Sequence, residues 1–306
     1  MKGLVLKSTG SWYQVKGEDG RIYPCKIKGL FKIKGLVTTN PVAVGDIVEF
    51  KEEPGNETPI IHTVQPRKNY IIRKSVKLSK QAHIIAANID RAFLIVSLVA
   101  PRTSMGFIDR FLVTAEGYGI PAVLVLNKWD LYEESLIKQA EEVHSIYNPL
   151  GYPCINISAE KGYNLDNLKK ELNKGVNLLS GHSGVGKSTL INALVPSLRL
   201  RTGEISLQHL KGTHTTTFAE MFDLPEGGTI IDTPGIRDFG VIDFLPEEIS
   251  HFFPEMRERL NQCQFNNCLH DHEPNCAIKD AVAKGDIHPS RYYNYLSILR
   301  NEDKFN

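Results

Sequence analysis

Residues 181–188 read Gly-His-Ser-Gly-Val-Gly-Lys-Ser and fit the pattern G-x-x-x-x-G-K-[ST] of a phosphate-binding loop. The apolar run at 175–180 predicts a buried strand before the loop, and residues 189–194 predict the first turns of a helix after it. In this setting the glycines let backbone N–H groups point inward at a helix N-terminus, where anions are favoured. Lys187 would reach the β- and γ-phosphates, and the Ser188 hydroxyl would hold Mg²⁺. The alternative is a glycine-rich turn with no ligand.

The composition is that of a globular protein, with 42% hydrophobic and 23% charged residues in a chain of 306. This length predicts two or three domains. No apolar run approaches the roughly 18 residues that span a membrane, and the N-terminus lacks the pattern of a signal peptide. Five cysteines without an export signal favour a reducing compartment, where cysteines bind metal or are buried.

Residues 1–68 contain four or five short runs of β-branched and aromatic residues separated by turns, which predicts a small barrel of the OB or SH3 type. Residues 1–80 hold 15 lysines and arginines against 7 acidic residues, whereas the remainder holds 21 against 28. A basic barrel suits an RNA partner. The lysines that suggest this face are Lys26, Lys28, Lys32 and Lys34, with Phe31 nearby. The alternatives are a solvated lysine-rich surface and a domain used only for packing.

From about residue 71 the pattern predicts alternating strands and helices. Apolar strands at 91–99 and 121–126 indicate a parallel sheet covered on both faces, whose ligands bind beyond the carboxyl ends of the strands. The second strand is followed by Asn127-Lys128-Trp129-Asp130, which fits the N-K-x-D pattern of guanine-nucleotide-binding proteins. The Asp130 carboxylate can accept from guanine N1–H and from the 2-amino group, an arrangement that adenine lacks. A polar turn without a ligand is the alternative.

Two further loops complete the predicted nucleotide site. Ser158-Ala159 follows a short strand at 154–157 and resembles the loop that supports guanine O6 through a backbone N–H. A strand at 229–231 leads into Asp232-Thr-Pro-Gly235, the D-x-x-G pattern, in which the aspartate serves Mg²⁺ and the glycine N–H serves the γ-phosphate.

The polar stretch 196–212 ends in threonines at 213–217 and suits a switch loop. The predicted GTP contacts are Asn127, Lys128, Asp130, Ser158, Ala159, Gly181, His182, Ser183, Gly184, Val185, Gly186, Lys187, Ser188, Thr189, Asp232 and Gly235. The predicted Mg²⁺ ligands are Ser188, Thr215 and Asp232.

The base-reading loops precede the phosphate loop along this chain, whereas ordinary GTPases have the phosphate loop first. The sequence therefore predicts a circularly permuted domain, which is tolerated where the original termini lie close together at the surface. Permutation attaches the C-terminal segment directly behind D-x-x-G, so that the nucleotide state could move it.

The C-terminal segment carries the spacing Cys263-x₄-Cys268-x-His270-x₅-Cys276. Three cysteines and one histidine can close a tetrahedral Zn²⁺ site, and four protein ligands leave no open position, which predicts a structural site. His272 is a competing ligand, and buried reduced cysteines without metal are the alternative. Residues 291–300 predict a final helix.

These features in series resemble the RsgA family of circularly permuted GTPases over essentially the whole length. The resemblance implies an OB-fold barrel at 1–68, a permuted α/β GTPase domain at 71–243 and a mainly helical zinc domain at 244–306. It implies a monomeric cytoplasmic GTPase that uses GTP, Mg²⁺ and one structural Zn²⁺. It also implies binding to 16S rRNA and late maturation of the 30S ribosomal subunit, which stimulates hydrolysis.

The residue after D-x-x-G is Ile236, where many GTPases have a glutamine that orients the attacking water. Intrinsic hydrolysis should therefore be slow. His214 in the switch is the candidate for orienting the water, because the family motif has a histidine at the matching place, and the catalytic Lys187 would stabilise charge. A solvent-facing histidine is the alternative. Two other classes remain open, namely an ATP-using P-loop enzyme and an RNA-binding assembly factor with a vestigial nucleotide site.

Overall fold

The N-terminal part of the chain is a closed five-stranded barrel. The computed structural model describes residues 1–27, 40–53, 58–74, 82–198, 219–233 and 244–302. The barrel strands are β1 (Lys2–Ser8), β2 (Tyr13–Gly17), β3 (Ile22–Ile27), β4 (Ile47–Lys51) and β5 (Ile60–Val64). They pair in the order β1–β2–β3–β5–β4, and β4 returns to β1. This closure confirms the predicted small barrel and favours the OB type over the SH3 type.

Alternation along the strands decides which side chains fill the barrel. In β2, Tyr13 and Val15 are buried, whereas Gln14 between them is exposed. This is the period of two that a strand requires when one face packs on a core. Of the predicted lysines, Lys26 is described and lies exposed on β3, and the other three and Phe31 fall outside the described residues.

A hairpin that the sequence did not lead us to expect separates the barrel from the α/β region. It consists of β6 (Tyr70–Lys74) and β7 (Ala82–Ala87), which form a two-stranded sheet of their own. The Asn40 side chain exchanges two hydrogen bonds with the backbone of Ile84, at 2.7 and 2.9 Å, and so ties the barrel to β7. The predicted alternation of strands and helices therefore begins at residue 91 and not at residue 71.

The central sheet is parallel except at one strand and is covered on both faces, as predicted. Its order is β10 (Cys154–Asn156), β9 (Ala122–Leu126), β8 (Arg91–Val96), β11 (Val176–Ser180), β13 (Thr229–Asp232) and the antiparallel β12 (Glu220–Asp223). Helices α1 (Met105–Gly117) and α2 (Glu134–Tyr147) pack on one face, and α3 (Leu165–Leu172) and α4 (Lys187–Leu194) on the other. Successive residues of β8, Phe93 and Leu94, point into the two different cores.

The barrel and the central sheet share their hydrogen bonding. Strand β1 pairs with β12 at Lys7 and Glu220, so that all the barrel strands and the α/β strands form one sheet of eleven strands. Lys7 Nζ lies 2.9 Å from the Glu220 carboxylate, and Lys16 Nζ lies 2.6 Å from that of Asp223. Both pairs are partly exposed and should each contribute less than about 1 kcal/mol. Their effect is to fix where the barrel sits on the strand that follows residues 199–218.

The C-terminal segment is mainly helical, as predicted, and packs directly on helix α1. Its helices are α5 (Pro246–Ile249), α6 (Pro254–Arg257), α7 (Ala277–Lys284) and α8 (Pro289–Leu299). Val113 of α1 lies in one core with Phe253 and Tyr295. At Gly117 a Cβ would lie 2.1 Å from the ring of Phe244, so the glycine lets this ring pack closely on α1. None of the helices in the described ranges combines the length and apolar character of a membrane span.

A buried ionic network fixes this contact. The Arg291 guanidinium donates to the Asp109 carboxylate at 2.5 Å and to the Glu255 carboxylate at 2.7 Å. Tyr147 and Asn294 also donate to Asp109, at 2.7 and 2.5 Å. Burial raises the pKa of Asp109, although Arg291 beside it favours the charged form. Removing one partner of such a pair generally costs about 3–5 kcal/mol. The helices α1, α2, α6 and α8 are therefore held together as one body.

Candidate functional site

The predicted nucleotide-binding loops meet at one edge of the central sheet. They follow the carboxyl ends of β9, β10, β11 and β13, and β8 lies between β9 and β11. Because these strands are parallel to one another, their carboxyl ends share an edge, and ligands of open α/β sheets bind there. Loops that are up to about a hundred residues apart in the chain are thus neighbours in space.

The phosphate loop runs from Gly181 to Gly186 between β11 and α4. Gly184 and Gly186 have φ angles of +85° and +95°, in the left-handed region that glycine adopts without strain. A Cβ at Gly186 would lie 2.3 Å from the side-chain nitrogen of Asn127. The glycine is therefore required both by the turn and by the close approach of residues 127–130 after β9, which we call the base-side loop.

Asn127 joins three of the predicted loops through one buried amide. Its Nδ2 donates to the carbonyl of Val185 in the phosphate loop at 2.9 Å. Its Oδ1 accepts from the N–H of Ala159 at 3.0 Å. The side chain is 1% exposed, so both bonds are shielded from water. The three loops thus form one continuous surface.

The Asp130 carboxylate is fixed by a hydrogen bond to a buried side chain and is otherwise exposed to solvent. Its carboxylate accepts from the Ser158 hydroxyl at 2.5 Å, and that hydroxyl in turn accepts from the N–H of Lys161 at 3.0 Å. Ser158 is buried, whereas Asp130 is exposed. Lys128 has a left-handed backbone, and its Nζ donates to the carbonyl of Ala100 at 2.8 Å. The arrangement offers carboxylate oxygen towards solvent at the end of β9.

On the phosphate side, Lys187 points at the end of β13. Its Nζ lies 2.6 Å from the Asp232 carboxylate and also donates to the carbonyl of Thr233 at 2.6 Å. Ser188 and Thr189 follow in the first turn of α4. A cationic amine, a hydroxyl-bearing first turn and a carboxylate are therefore gathered where parallel strands end. Three predicted residues, His214, Thr215 and Gly235, lie outside the described residues.

Two aromatic residues at this edge were not predicted. The ring of Phe107 on α1 lies over that of His182 in the phosphate loop, with centroids 3.7 Å apart. The hydroxyl of Tyr132 bonds the backbone of both Leu98 and Asn127. Neither belongs to a motif, so the only sequence signal was their nearness to the predicted loops.

The four predicted metal ligands converge in the C-terminal segment. The ligand atoms of Cys263, Cys268, His270 and Cys276 all lie within 4.8 Å of one another. His270 Nδ1 is 3.6 Å from Cys263 Sγ and 3.4 Å from Cys276 Sγ. His272 is instead 89% exposed and faces Asp271 at 3.2 Å, so it is not part of the cluster.

The cluster fits a tetrahedral Zn²⁺ ion. With Zn–S bonds of about 2.3 Å and Zn–N bonds of about 2.0–2.1 Å, tetrahedral ligand atoms lie roughly 3.5–3.8 Å apart. Burial raises the pKa of the Cys268 thiol to about 12, and a bound cation would favour its thiolate instead. The loop that carries the histidine is braced by Tyr292 and Tyr295, whose hydroxyls donate to the carbonyls of His270 and Leu269 at 2.6 Å each. Such outer contacts orient metal ligands.

The fold and the loops at this edge define a P-loop GTPase whose motifs are circularly permuted. The sequence model of the RsgA GTPase matches residues 64–242, and that of the RsgA N-terminal domain matches residues 2–60. The chain belongs to the RsgA GTPase family. It is therefore a GTP hydrolase, with a guanine nucleotide and Mg²⁺ as the ligands that the family implies.

Relatives and solved structures agree with this assignment over almost the whole chain. A protein of Christiangramia forsetii named small ribosomal subunit biogenesis GTPase RsgA is 56% identical, over 99% of this chain and 97% of the relative. The protein of the same name from Flavobacterium johnsoniae is 53% identical, over 99% and 94%. The structure of YjeQ from Thermotoga maritima matches with a TM-score of 0.80 and 34% identity, over 98% and 97% of the two chains. That of YloQ, described as a circularly permuted GTPase, has a TM-score of 0.74 and 27% identity, over 98% and 94%.

Proposed function

We propose that this GTPase acts in the cytoplasm as a monomeric assembly factor, hydrolysing GTP while bound to a nearly mature 30S ribosomal subunit. The two relatives named small ribosomal subunit biogenesis GTPase match this chain over 97% and 94% of their own lengths, which supports the role. The observation that carries the nucleotide part of the proposal is Asn127, which joins the base-side loops to the phosphate loop.

In the proposed GTP complex the base is read at the end of β9. The exposed carboxylate of Asp130 accepts from guanine N1–H and the 2-amino group, and Ser158 holds it in the required direction. The N–H of Ala159 supports guanine O6, and the stem of Lys128 lies over the purine ring. The hydrogen-bond pattern of adenine does not match this set, so ATP is excluded.

The triphosphate lies along the phosphate loop in this proposal. Backbone N–H groups of residues 181–189 and the N–H of Gly235 bind phosphate oxygens, and Lys187 turns from Asp232 towards the β- and γ-phosphates. Ser188, Thr215 and Asp232 offer the oxygen ligands that Mg²⁺ prefers. When bound, Mg²⁺ neutralises charge on the β- and γ-phosphate oxygens. The remaining requirement is a group that orients the attacking water.

His214 is the proposed water-positioning residue. Ile236 follows D-x-x-G and has no hydrogen-bonding group, so the usual neighbour does not supply this function. A neutral imidazole nitrogen can accept from water, and the histidine belongs to the threonine-rich segment at 213–217. Contact with the ribosomal subunit would place the imidazole beside the attacking water and so start hydrolysis.

The three predicted segments divide the work in this proposal. The barrel at 1–68 binds 16S rRNA, the domain at 71–243 binds and hydrolyses GTP, and the segment at 244–306 holds one structural Zn²⁺. The barrel offers cationic and aromatic groups together, because Lys26 Nζ lies 4.3 Å from the centre of the Trp12 ring. The barrel is also paired to β12, the strand that follows the switch segment.

The proposed base reading predicts a preference for GTP over ATP that depends on Asp130. In Asp130→Asn the side-chain amide would set an N–H against the N–H groups of guanine, and GTP affinity should fall roughly a hundredfold. Asp166→Asn, which changes an exposed carboxylate on α3, should leave affinity unchanged. Equilibrium binding of labelled GTP and ATP measures both. Tight ATP binding by the wild-type chain would contradict the proposal.

The proposed metal site predicts one zinc per chain by elemental analysis. His270→Ala should lose most of this zinc, because the imidazole nitrogen is a ligand. His272→Ala is the matched control, since it removes an exposed histidine two residues away and should retain the metal. Equal zinc content in the two variants would show that the cluster is not the site.

The proposed role of His214 predicts that binding and turnover separate. His214→Ala should keep its affinity for GTP and GDP, because the imidazole orients water and not nucleotide. Turnover stimulated by the small subunit should fall about 10²–10⁴-fold, the usual contribution of such a group. Single-turnover hydrolysis and nucleotide binding are measured side by side. Undiminished stimulated turnover would reject the role.

A further inference from the structure

Tyr132 places a buried hydroxyl between two backbone segments of the nucleotide edge. The hydroxyl accepts from the N–H of Leu98 at 2.9 Å and donates to the carbonyl of Asn127 at 3.0 Å. The residue is 8% exposed, and its ring packs on that of Trp129 with centroids 5.2 Å apart. Burial raises the pKa of Tyr132, so the hydroxyl keeps its proton at neutral pH and can make both bonds.

The segment on the Leu98 side is residues 97–104, the loop from β8 to α1, which we call the β8–α1 loop. It is closed on itself, because the N–H of Thr103 donates to the carbonyl of Ser97 at 2.8 Å and the Thr103 hydroxyl accepts from the N–H of Ser97 at 3.1 Å. Leu98 is itself buried at 7% exposure. The ends of the loop are therefore bonded to each other, and its contacts with neighbouring segments set where it lies.

The β8–α1 loop touches both halves of the site. Its Ala100 carbonyl accepts from Lys128 Nζ in the base-side loop at 2.8 Å. Its Pro101 lies against the phosphate loop, where a Cβ added at Gly184 would come within 3.1 Å of the proline ring. Residues of this loop thus form a wall that contacts the base-side and phosphate loops together.

We propose that Tyr132 is a positioning residue for guanine-nucleotide binding, which holds the β8–α1 loop against both the base-side loop and the phosphate loop. The inference rests on the proposed GTP site. Tyr132 does not touch the nucleotide in this account. It acts through Leu98 and Asn127, and the latter is the residue whose side chain bonds Val185 and Ala159. Both bonds of the Tyr132 hydroxyl go to Leu98 and Asn127, on the side of the base and away from Asp232, so GDP and GTP should be affected alike.

The test compares Tyr132→Phe with Tyr147→Phe. Each variant keeps an aromatic ring and removes one buried hydroxyl, but the Tyr147 hydroxyl donates to Asp109 in the network beneath the C-terminal segment. Both variants should melt at a lower temperature than the wild type in the absence of nucleotide. Only Tyr132→Phe should bind more weakly, with Kd raised about tenfold for GDP and for GTP, because both bonds of the hydroxyl are lost.

Steady-state kinetics give a second readout that loss of stability alone would not move. For Tyr132→Phe the KM for GTP should rise by a similar factor while kcat stays within about twofold, because the chemical groups are unchanged. Wild-type affinity in Tyr132→Phe would overturn the inference, and so would an equal loss of affinity in Tyr147→Phe. A wild-type chain that binds neither GDP nor GTP would instead contradict the proposed GTP site, and the inference with it.

Discussion

The buried amide of Asn127 is the interaction on which the nucleotide edge depends. It donates to the phosphate loop and accepts from the loop after β10, and it comes from the loop after β9. Its position follows from strand order, because β8 pairs with both β9 and β11 and so holds their carboxyl ends at the same edge, one strand apart. Since pairing and not chain order sets these distances, a permuted chain can build the same edge. The cut lies before β8, in the region where the hairpin β6–β7 joins the barrel.

The helix α1 extends this constraint to the C-terminal segment. Its N-terminal part places Phe107 over His182 of the phosphate loop, and its middle places Asp109 against Arg291 of α8. A segment attached only through the residues after D-x-x-G would be free to swing when the switch moves. The described contacts instead fix it to the body of the GTPase domain. The nucleotide state could therefore shift this segment only if the buried Arg291 network opened.

The barrel is joined to the same body from the opposite side. Strand β12 is bonded to β13, which carries Asp232, and to β1 of the barrel. In that register Glu220 lies opposite both Asp232 and Lys7. The strand after the switch segment is thus shared by the proposed RNA-binding and phosphate-binding parts. Strand β12 is therefore bonded through its main chain to the barrel on one side and to the strand of Asp232 on the other.

The sequence predicted what local pattern determines. Apolar runs predicted β8 and β9, and short motifs predicted the loops that follow β9, β11 and β13. The spacing from Cys263 to Cys276 predicted a cluster, and its four ligand atoms do converge. Pairing between distant edges carries no such local pattern, which is why the bond between β1 and β12 and the hairpin β6–β7 were not predicted. The roles of Arg291 and Tyr132 were not predicted either. Their side chains bond groups elsewhere in the chain or on the main chain, and no local pattern shows those partners.

The most direct test of the account is the rate of GTP hydrolysis by the intact chain with and without purified small ribosomal subunits. Ile236 cannot orient water, and the proposed His214 acts only when the subunit is bound, so hydrolysis by the free chain should be slow. Saturating subunits should raise the turnover number at least about tenfold, equivalent to about 1.4 kcal/mol or more off the barrier. An identical rate in the presence and absence of subunits would contradict the account.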